Sequence, residues 1–281
     1  KIGRLIFQNC ISLEKVTLGE NVTGINDDSL DAGAFSGCTA LSEIVWNDKI
    51  ETIGDRAFYG CTALRSLSIP ASVITIGPSA FSGCTGLNNV NLGINLEKID
   101  ANAFNGCKGI KEITLPDSLK TLEYNAFKDC TSLRTVDLGN GLSAMENNVF
   151  DGCTALSEVT FGANFATIGE RAFKDCVALT KINWGENVSV IGESAFSGCK
   201  GLRALDIPAS VKTIEDYAFN GAEGITEFTL SEGLTSVGVG AFLRCSRIQS
   251  VTIPNTVTKM GRSAFEGCEN LKTVNIGMGL T

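Results

Sequence analysis

Apolar residues recur along this chain with a period of 23 residues. The clearest marker is a phenylalanine that returns without a slip from Phe35 to Phe265. If each phenylalanine is position zero, alanine usually precedes it, glycine follows at +2 and cysteine at +3. Further apolar residues stand at +6, +9, +11, +15 and +18. One such unit is too small to fold alone, so the period predicts a solenoid of stacked copies.

The positions from +8 to +12 predict a strand and the turn that ends it. Val136 and Leu138 alternate with the polar residues Thr135 and Asp137, as in a strand with one buried face. At +12 most copies have proline or glycine, which end a strand and turn the chain. Stacked over the copies, these strands predict one long parallel sheet with a polar outer face.

The rest of each copy predicts shorter elements. The apolar positions +15 and +18, often followed by glycine at +19, indicate a short extended piece and a tight turn. The segment around each phenylalanine is too short for an α-helix of more than about one turn. We expect a single helical or 3₁₀ turn there.

These residues resemble a known family. The unit Ala-Phe-x-Gly-Cys-x-x-Leu-x-x-Val-x-Leu-Pro-x-x-Val-x-x-Ile-Gly is similar to the BspA-type leucine-rich repeat over essentially the whole chain. The resemblance implies a right-handed leucine-rich-repeat solenoid, with a parallel β-sheet on one face and short strands or 3₁₀ turns on the other. It also implies a protein on or outside the cell surface, typically of anaerobic bacteria and of some mucosal protozoa, with adhesion or host-protein binding as its usual role. The resemblance does not imply an enzyme.

Residues 1–281 are expected to form a single solenoid of about twelve copies, because an additional copy surrounds Phe7. That copy lies 28 residues before Phe35, which places a five-residue insertion in the stretch from Asn26 to Ala32. The chain begins and stops inside a copy, so we expect a piece of a longer protein, truncated at both ends. A continuous asparagine ladder is not expected, since that column survives only at Asn21, Asn95, Asn164 and Asn187.

Charge and hydropathy exclude two classes of partner. The formal net charge is −8, which argues against binding a nucleic-acid backbone. No apolar run approaches the ~20 residues of a membrane span, so this segment is not expected to insert into a membrane. Only position +7 has a basic bias, and we interpret it as a solvated edge: Arg65, Lys111, Arg134, Arg203 and Lys272.

All eleven cysteines stand at +3, and only Ala222 interrupts that column. An odd number without paired spacings is a poor disulfide framework. Neighbours would also lie near the strand spacing, beyond the ~3.8 Å between Cβ atoms that a disulfide prefers. Zinc is not expected either, because the sequence has no histidine and no closely spaced cysteine pair. The prediction is a column of buried, free thiols.

An enzyme is not expected from this set of residues. Without histidine, Ser-His and Cys-His nucleophiles are excluded. Asp137, Glu158 and Asp206 stand on separate copies and are interpreted as a solvated face rather than catalytic carboxylates. Three aspartates in the insertion resemble part of a calcium-binding loop: Asp27, Asp28 and Asp31. The glycine and the closing acid do not stand where such a loop requires them, which favours an ordinary polar loop. No cofactor or metal is expected.

The outward strand residues are the candidate binding site. Position +10 of six successive copies should form a stripe about 25 Å long at ~4.8 Å per copy. Its members are Thr114, Asp137, Thr160, Asn183, Asp206 and Thr229. The stripe has two carboxylates and no base, so the expected partner is a host or neighbouring-cell surface protein that presents Lys or Arg. The expected location is extracellular or at the cell surface.

Two alternatives stay open, a carbohydrate-binding solenoid and a structural spacer with no ligand. Carbohydrate binding would use exposed aromatic rings beside Asn and Asp. Trp46, Phe161 and Trp184 fall at the apolar position +11, where we expect burial. Only three tyrosines are expected to be exposed, and they do not share one column: Tyr59, Tyr124 and Tyr217.

Overall fold

The structure is a computed structural model that describes residues 1–25 and 33–280. The chain divides into two compact units, Lys1–Leu142 and Ser143–Thr281. Each unit is a solenoid in which strands of successive copies pair in parallel. Strands are the only regular elements in the described residues, and the predicted fold class is confirmed. The calcium candidates Asp27, Asp28 and Asp31 lie outside the described residues.

Each typical copy contributes one longer and one two-residue strand. In the first unit the strands are β1 (Lys15–Thr17), β2 (Gly24–Ile25), β3 (Glu43–Val45), β4 (Thr52–Ile53), β5 (Ser66–Ser68), β6 (Thr75–Ile76), β7 (Asn89–Asn91), β8 (Lys98–Ile99), β9 (Glu112–Thr114), β10 (Thr121–Leu122) and β11 (Thr135–Asp137). In the second unit they are β12 (Glu158–Thr160), β13 (Thr167–Ile168), β14 (Lys181–Asn183), β15 (Val190–Ile191), β16 (Ala204–Asp206), β17 (Thr213–Ile214), β18 (Glu227–Thr229), β19 (Ser236–Val237), β20 (Ser250–Ile253), β21 (Lys259–Met260) and β22 (Thr273–Ile276).

The two kinds of strand pair differently. The two-residue strands form an uninterrupted ladder in each unit, β2-β4-β6-β8-β10 and β13-β15-β17-β19-β21. Within each unit the longer strands pair two by two, as β1 with β3, β5 with β7, β9 with β11, β12 with β14, β16 with β18 and β20 with β22. The predicted long sheet is therefore divided.

The segment around each phenylalanine is a chain of tight turns. In one copy the Tyr59 amide donates to the Arg56 carbonyl at 3.0 Å, and the Cys61 amide to the Phe58 carbonyl at 3.2 Å. The backbone is left-handed at Arg56 (φ 48°) and at Gly60 (φ 70°). A left-handed residue on each side of the phenylalanine prevents helical dihedrals from continuing. The expected helical or 3₁₀ turn is thus wrong, although its three-residue hydrogen bonds are present.

These turns also carry a third ladder between copies. The Phe58 amide donates to the Ala80 carbonyl and the Gly60 amide to the Ser82 carbonyl, both at 2.8 Å. The same pattern recurs in later copies, as from Phe104 to Ala126 at 2.8 Å. Within a unit, successive coils are therefore hydrogen-bonded at the two-residue strands and at the turns, and two by two at the longer strands. We call the surface formed by positions −3, −2 and +1 the turn face.

The phenylalanine column is the centre of the core. Phe58, Phe81 and Phe104 are 0% exposed. Neighbouring rings lie nearly parallel, with centroids 5.4 Å apart for Phe58 and Phe81 and 5.3 Å apart for Phe81 and Phe104. The alanine before each ring is equally buried, as at Ala80 and Ala103. A parallel stack at this spacing accepts one ring shape at every copy, which explains the unbroken column.

The cysteines are free, as predicted, and all are buried except Cys10. Buried thiols donate to the phenylalanine carbonyl of the preceding copy, as from Cys84 to Phe58 at 3.2 Å and from Cys107 to Phe81 at 3.1 Å. Burial raises the pKa of Cys84 to about 12. A thiol thus fills a small apolar space and supplies a weak donor to a buried carbonyl.

Asparagines bridge copies only at isolated positions. Asn95 Nδ2 donates to the Ala71 carbonyl at 2.9 Å, and Asn187 Nδ2 to the Ala163 carbonyl at 2.7 Å. In another copy Ser118 Oγ occupies the same position and donates to the Leu96 carbonyl at 2.7 Å. Hydroxyls therefore substitute for amides in this column, and no continuous asparagine ladder is formed by the described residues.

Candidate functional site

The outward residues of the longer strands, at positions +8 and +10, form what we call the strand face. Of the six predicted site residues, Thr114 and Asp137 pair in the first unit on β9 and β11. The other four lie in the second unit, where Thr160 pairs with Asn183 and Asp206 with Thr229. All are exposed except Thr160 and Asn183, which are half-buried.

Thr160 and Asn183 are half-buried because they belong to a local polar network. Lys181 Nζ lies 2.6 Å from Glu158 Oε1, and Asn183 Nδ2 donates to the same oxygen at 2.7 Å. Asn183 Nδ2 also donates to Thr160 Oγ1 at 2.9 Å. The hydrogen bonds from Lys181 and then Asn183 lower the pKa of Glu158. These side chains satisfy one another, so this part of the strand face offers a partner little unsatisfied polarity.

The two predicted carboxylates differ in what they contact. Asp137 Oδ1 accepts from the Gly139 amide at 3.0 Å and so closes the turn after its strand. Asp206 cannot do the same, because the residue two positions later is Pro208, which has no amide hydrogen. Asp137 therefore has a structural role, whereas the Asp206 carboxylate projects into solvent without that bond.

A second exposed carboxylate, missed in the sequence, lies beside Asp206. Strands β16 and β18 pair so that Ala204 faces Glu227 and Asp206 faces Thr229. No described lysine or arginine forms an ion pair with Asp206 or Glu227. The small Ala204 side chain leaves the space between these carboxylates open. The pair of strands can therefore accept a lysine or arginine from a partner. The sequence shows that a negatively charged residue, Glu227, stands at the outward position +8. It does not show that this carboxylate lacks an ion pair.

The basic column at +7 is a solvated edge, as interpreted. Its five residues are all exposed: Arg65, Lys111, Arg134, Arg203 and Lys272. Two of the three carboxylates named above as catalytic candidates have structural partners. Glu158 forms an ion pair, and Asp137 accepts a hydrogen bond in a turn. Among residues 1–25 and 33–280, no cluster of three metal-ligating side chains is formed. The same residues contain no helix that could cross a membrane.

The exposed tyrosines lie on the turn face. Tyr59 stands at +1, Tyr124 at −3 and Tyr217 at −2, and they are 45%, 49% and 36% exposed. The three tyrosines stand in separate columns of these turns, and the backbone at Tyr217 is left-handed (φ 56°). The apolar pattern of the sequence does not predict that conformation.

The two tryptophan rings at position +11 are only partly enclosed. Phe161 is buried, whereas Trp46 and Trp184 are half-buried, which corrects the expected burial of both tryptophans. Their rings pack edge-on against the phenylalanine column, at 5.8 Å from Phe58 and 6.0 Å from Phe196. Position +11 holds leucine or isoleucine in most copies. The space for such a side chain does not enclose a whole indole, so part of each tryptophan ring remains at the surface.

An apolar cavity of about 440 Å³ lies at the first copy. It is lined by core positions of that copy, among them Phe7, Leu13, Val16 and Leu18. In later copies these positions are covered by a preceding coil. The cavity is therefore an uncovered part of the repeat core and contains none of the predicted binding residues.

The repeat geometry agrees with comparisons to known proteins. A sequence profile described as the BspA type leucine rich repeat region, with six copies, matches residues 1–100, 78–203 and 166–281. The chain belongs to the BspA-type leucine-rich repeat family. In this BspA-type chain the profile accounts for the inward columns, while the outward residues differ from copy to copy. Comparison with curated proteins gives no match.

Solved structures share this fold. A leucine-rich repeat protein from Bacteroides ovatus aligns with a TM-score of 0.62 and 26% identity, over 97% of this chain and 81% of that one. One from Eubacterium ventriosum gives 0.56 and 23%, over 95% and 79%. The pneumococcal vaccine antigen PcpA gives 0.56 and 22%, over 94% and 68%. These structures share the leucine-rich repeat fold of this chain.

Proposed function

We propose that this chain is a non-enzymatic protein-interaction module of the adhesion type, and that a basic partner binds its strand face. The observation that carries the proposal is the pair of exposed carboxylates at Asp206 and Glu227, for which the described residues provide no counterion. The wider site consists of the predicted +10 residues: Thr114 and Asp137 in the first unit, and Thr160, Asn183, Asp206 and Thr229 in the second.

The strand face is suited to a protein partner for two reasons. Its side chains at position +10 are short, so ordering them on binding costs little conformational entropy. The backbone beneath them is fixed by ladders to neighbouring copies, and a stacked-repeat surface offers a large contact area. The net charge of −8 supports a basic protein and disfavours nucleic acid.

We further propose a location outside the cell or on its surface. Membership of the BspA-type family supports this location. The cysteine content is compatible with it, because buried, protonated thiols without a bonding partner resist oxidation in a compartment where disulfides form. A spacer without a ligand is the competing interpretation, and it predicts that no side chain of the strand face matters for binding.

The test is a screen of immobilised chain against matrix and cell-surface proteins, followed by neutralisation of the site. Asp206→Asn with Glu227→Gln should slow association with a captured basic partner about tenfold at low salt, and the difference should shrink as salt is added. The matched control is Glu186→Gln with Glu232→Gln, which removes the same charge from exposed turns of the same unit.

The outcomes separate the interpretations. An unchanged association rate in the Asp206/Glu227 variant would contradict binding at this site. An equal loss in the control would show that net charge acts rather than the strand face. No captured protein at all would favour the spacer. Neither variant should change the melting temperature, because the altered side chains are exposed.

A further inference from the structure

The turn face of the first unit contains an exposed aromatic ring beside several amides. Tyr124 is 49% exposed. The residue in its column on the preceding copy is Ala101, which is 6% exposed. The main-chain amide of Asn102 donates to the Tyr124 carbonyl at 3.1 Å, which places these two residues side by side on adjacent copies. With 49% of its surface exposed, Tyr124 leaves part of its ring accessible to a flat ligand.

The amides around this ring project outward and are held in place. Asn102 and Asn125 have left-handed backbones, with φ of 58° and 57°. Asn105 Nδ2 donates to Asn102 Oδ1 at 2.9 Å. That bond leaves one side-chain N–H of Asn105, both side-chain N–H groups of Asn102 and the Asn105 Oδ1 for an external group. The cluster thus offers both donors and acceptors next to an apolar ring face.

This combination matches the chemistry of a neutral saccharide. A pyranose ring has an apolar C–H face that stacks on an aromatic ring, and hydroxyls that donate and accept at its edge. The four residues of the cluster carry no charge. Of the charged residues around them, Lys98 and Asp100 form an ion pair at 2.8 Å, and Glu123 and Lys128 carry opposite charges. The turn ladder fixes the backbone under the cluster, as from Phe104 to Ala126 at 2.8 Å, so little order has to be gained on binding.

The other tyrosines lack this setting. Tyr59 stands in the +1 column between Ser36 and Ser82, which are hydroxyl residues without amides. Tyr217 has its ring against Gly240, where an added Cβ would meet it at 2.6 Å. It follows Asp216, which lines an acidic hollow with Glu193 and Glu215. Tyr59 therefore serves as a matched control in the same unit.

We propose that Tyr124, Asn102, Asn105 and Asn125 form a binding site for a neutral saccharide. This site is separate from the strand face, and its ligand class differs from the basic protein proposed there. The site does not depend on the proposed function, and either proposal can fail without the other.

The experiment measures binding of the full chain to neutral oligosaccharides, with β-linked glucose, mannose and N-acetylglucosamine chains as probes and sulfated glycans for comparison. Tyr124→Ala should weaken binding of the preferred neutral sugar about tenfold or more, while Tyr124→Phe retains it because the ring remains. Asn102→Gly, which keeps the left-handed backbone and removes the amide, should weaken binding as well. Tyr59→Ala should leave binding unchanged.

Three results would overturn the proposal. One is no binding to any neutral probe at millimolar concentration. Another is equal binding by the wild type and Tyr124→Ala, with both variants shown to be folded by their unchanged melting temperatures. The third is a captured protein, and no sugar, whose binding is lost in Tyr124→Ala, which would make this cluster a protein-binding surface.

Discussion

Phe104→Ala is expected to lower the free energy of unfolding by about 3 to 5 kcal/mol, the range for a buried aromatic ring. Phe104 is 0% exposed, and its ring centroid lies 5.3 Å from that of Phe81 and 5.1 Å from that of Phe127. The backbone ladder holds the copies at a fixed spacing, so the neighbouring rings cannot close the cavity. The loss should therefore fall near the upper part of the range.

Denaturant titration of the whole chain measures this loss, with circular dichroism and tryptophan fluorescence as two probes. Thr114→Ala on the strand face is the control and should change stability by less than about 0.5 kcal/mol. A loss below about 1 kcal/mol for Phe104→Ala would show that the phenylalanine column is not the core. If the two probes disagree, the variant has separated the unfolding of neighbouring copies, which repeat proteins permit.

Raising the pH from about 8 to about 10 is expected to destabilise the fold strongly. Burial raises the pKa of Cys84 to about 12, from an ordinary value of 9.0. Burial also raises the pKa of Cys107, Cys176 and Cys199. Because each folded pKa lies above the unfolded one, the unfolded chain loses these protons first as the pH rises. The stability contribution is complete below the unfolded pKa of 9.0 and is lost above it.

The expected size follows from the number of thiols. Each thiol costs about 1.4 kcal/mol over this interval, so these four thiols together cost roughly 5 kcal/mol. Urea midpoints at several pH values, with reductant present, measure the effect. The double variant Cys84→Ala and Cys107→Ala should show a shallower decline. A midpoint that does not change with pH, or an identical decline in the double variant, would contradict the account.

The inward columns could be predicted from the sequence because stacking makes every copy repeat the same environment. Phe104 and Cys107 are repeated at their positions in neighbouring copies, and each repetition restricts the residue that fits. The strand at Val136 followed from simple alternation for the same reason. The phenylalanine, cysteine and strand columns are therefore sufficient to predict the fold class and the core residues.

The backbone details could not be predicted in the same way. A turn at Tyr59 with left-handed residues on both sides gives the same apolar pattern as a helical turn, and only Gly60 hinted at positive φ. The pairing of the longer strands two by two depends on contacts between copies, which no single copy encodes. Hydrogen bonds between copies, such as Phe58 to Ala80, decide between these conformations.

The sequence predicts only part of the candidate binding site. Asp137 and Asp206 look equivalent at position +10, yet the following Gly139 and Pro208 give one a turn bond and leave the other without it. That difference could have been read from the sequence. The open position of Glu227 could not, because it depends on which charged side chains reach each other across copies. Outward residues are constrained by solvent rather than by packing, so their pattern carries less structural information.

The central claim is that all copies share one inward register, and counting the reactive thiols of the native protein tests it most directly. A maleimide titration under reducing conditions should label Cys10 alone among the described cysteines before denaturation, because the others are buried. After denaturation all eleven cysteines of the sequence should react. Several rapidly labelled thiols in the native state, or disulfides found by mass spectrometry without reductant, would contradict the account.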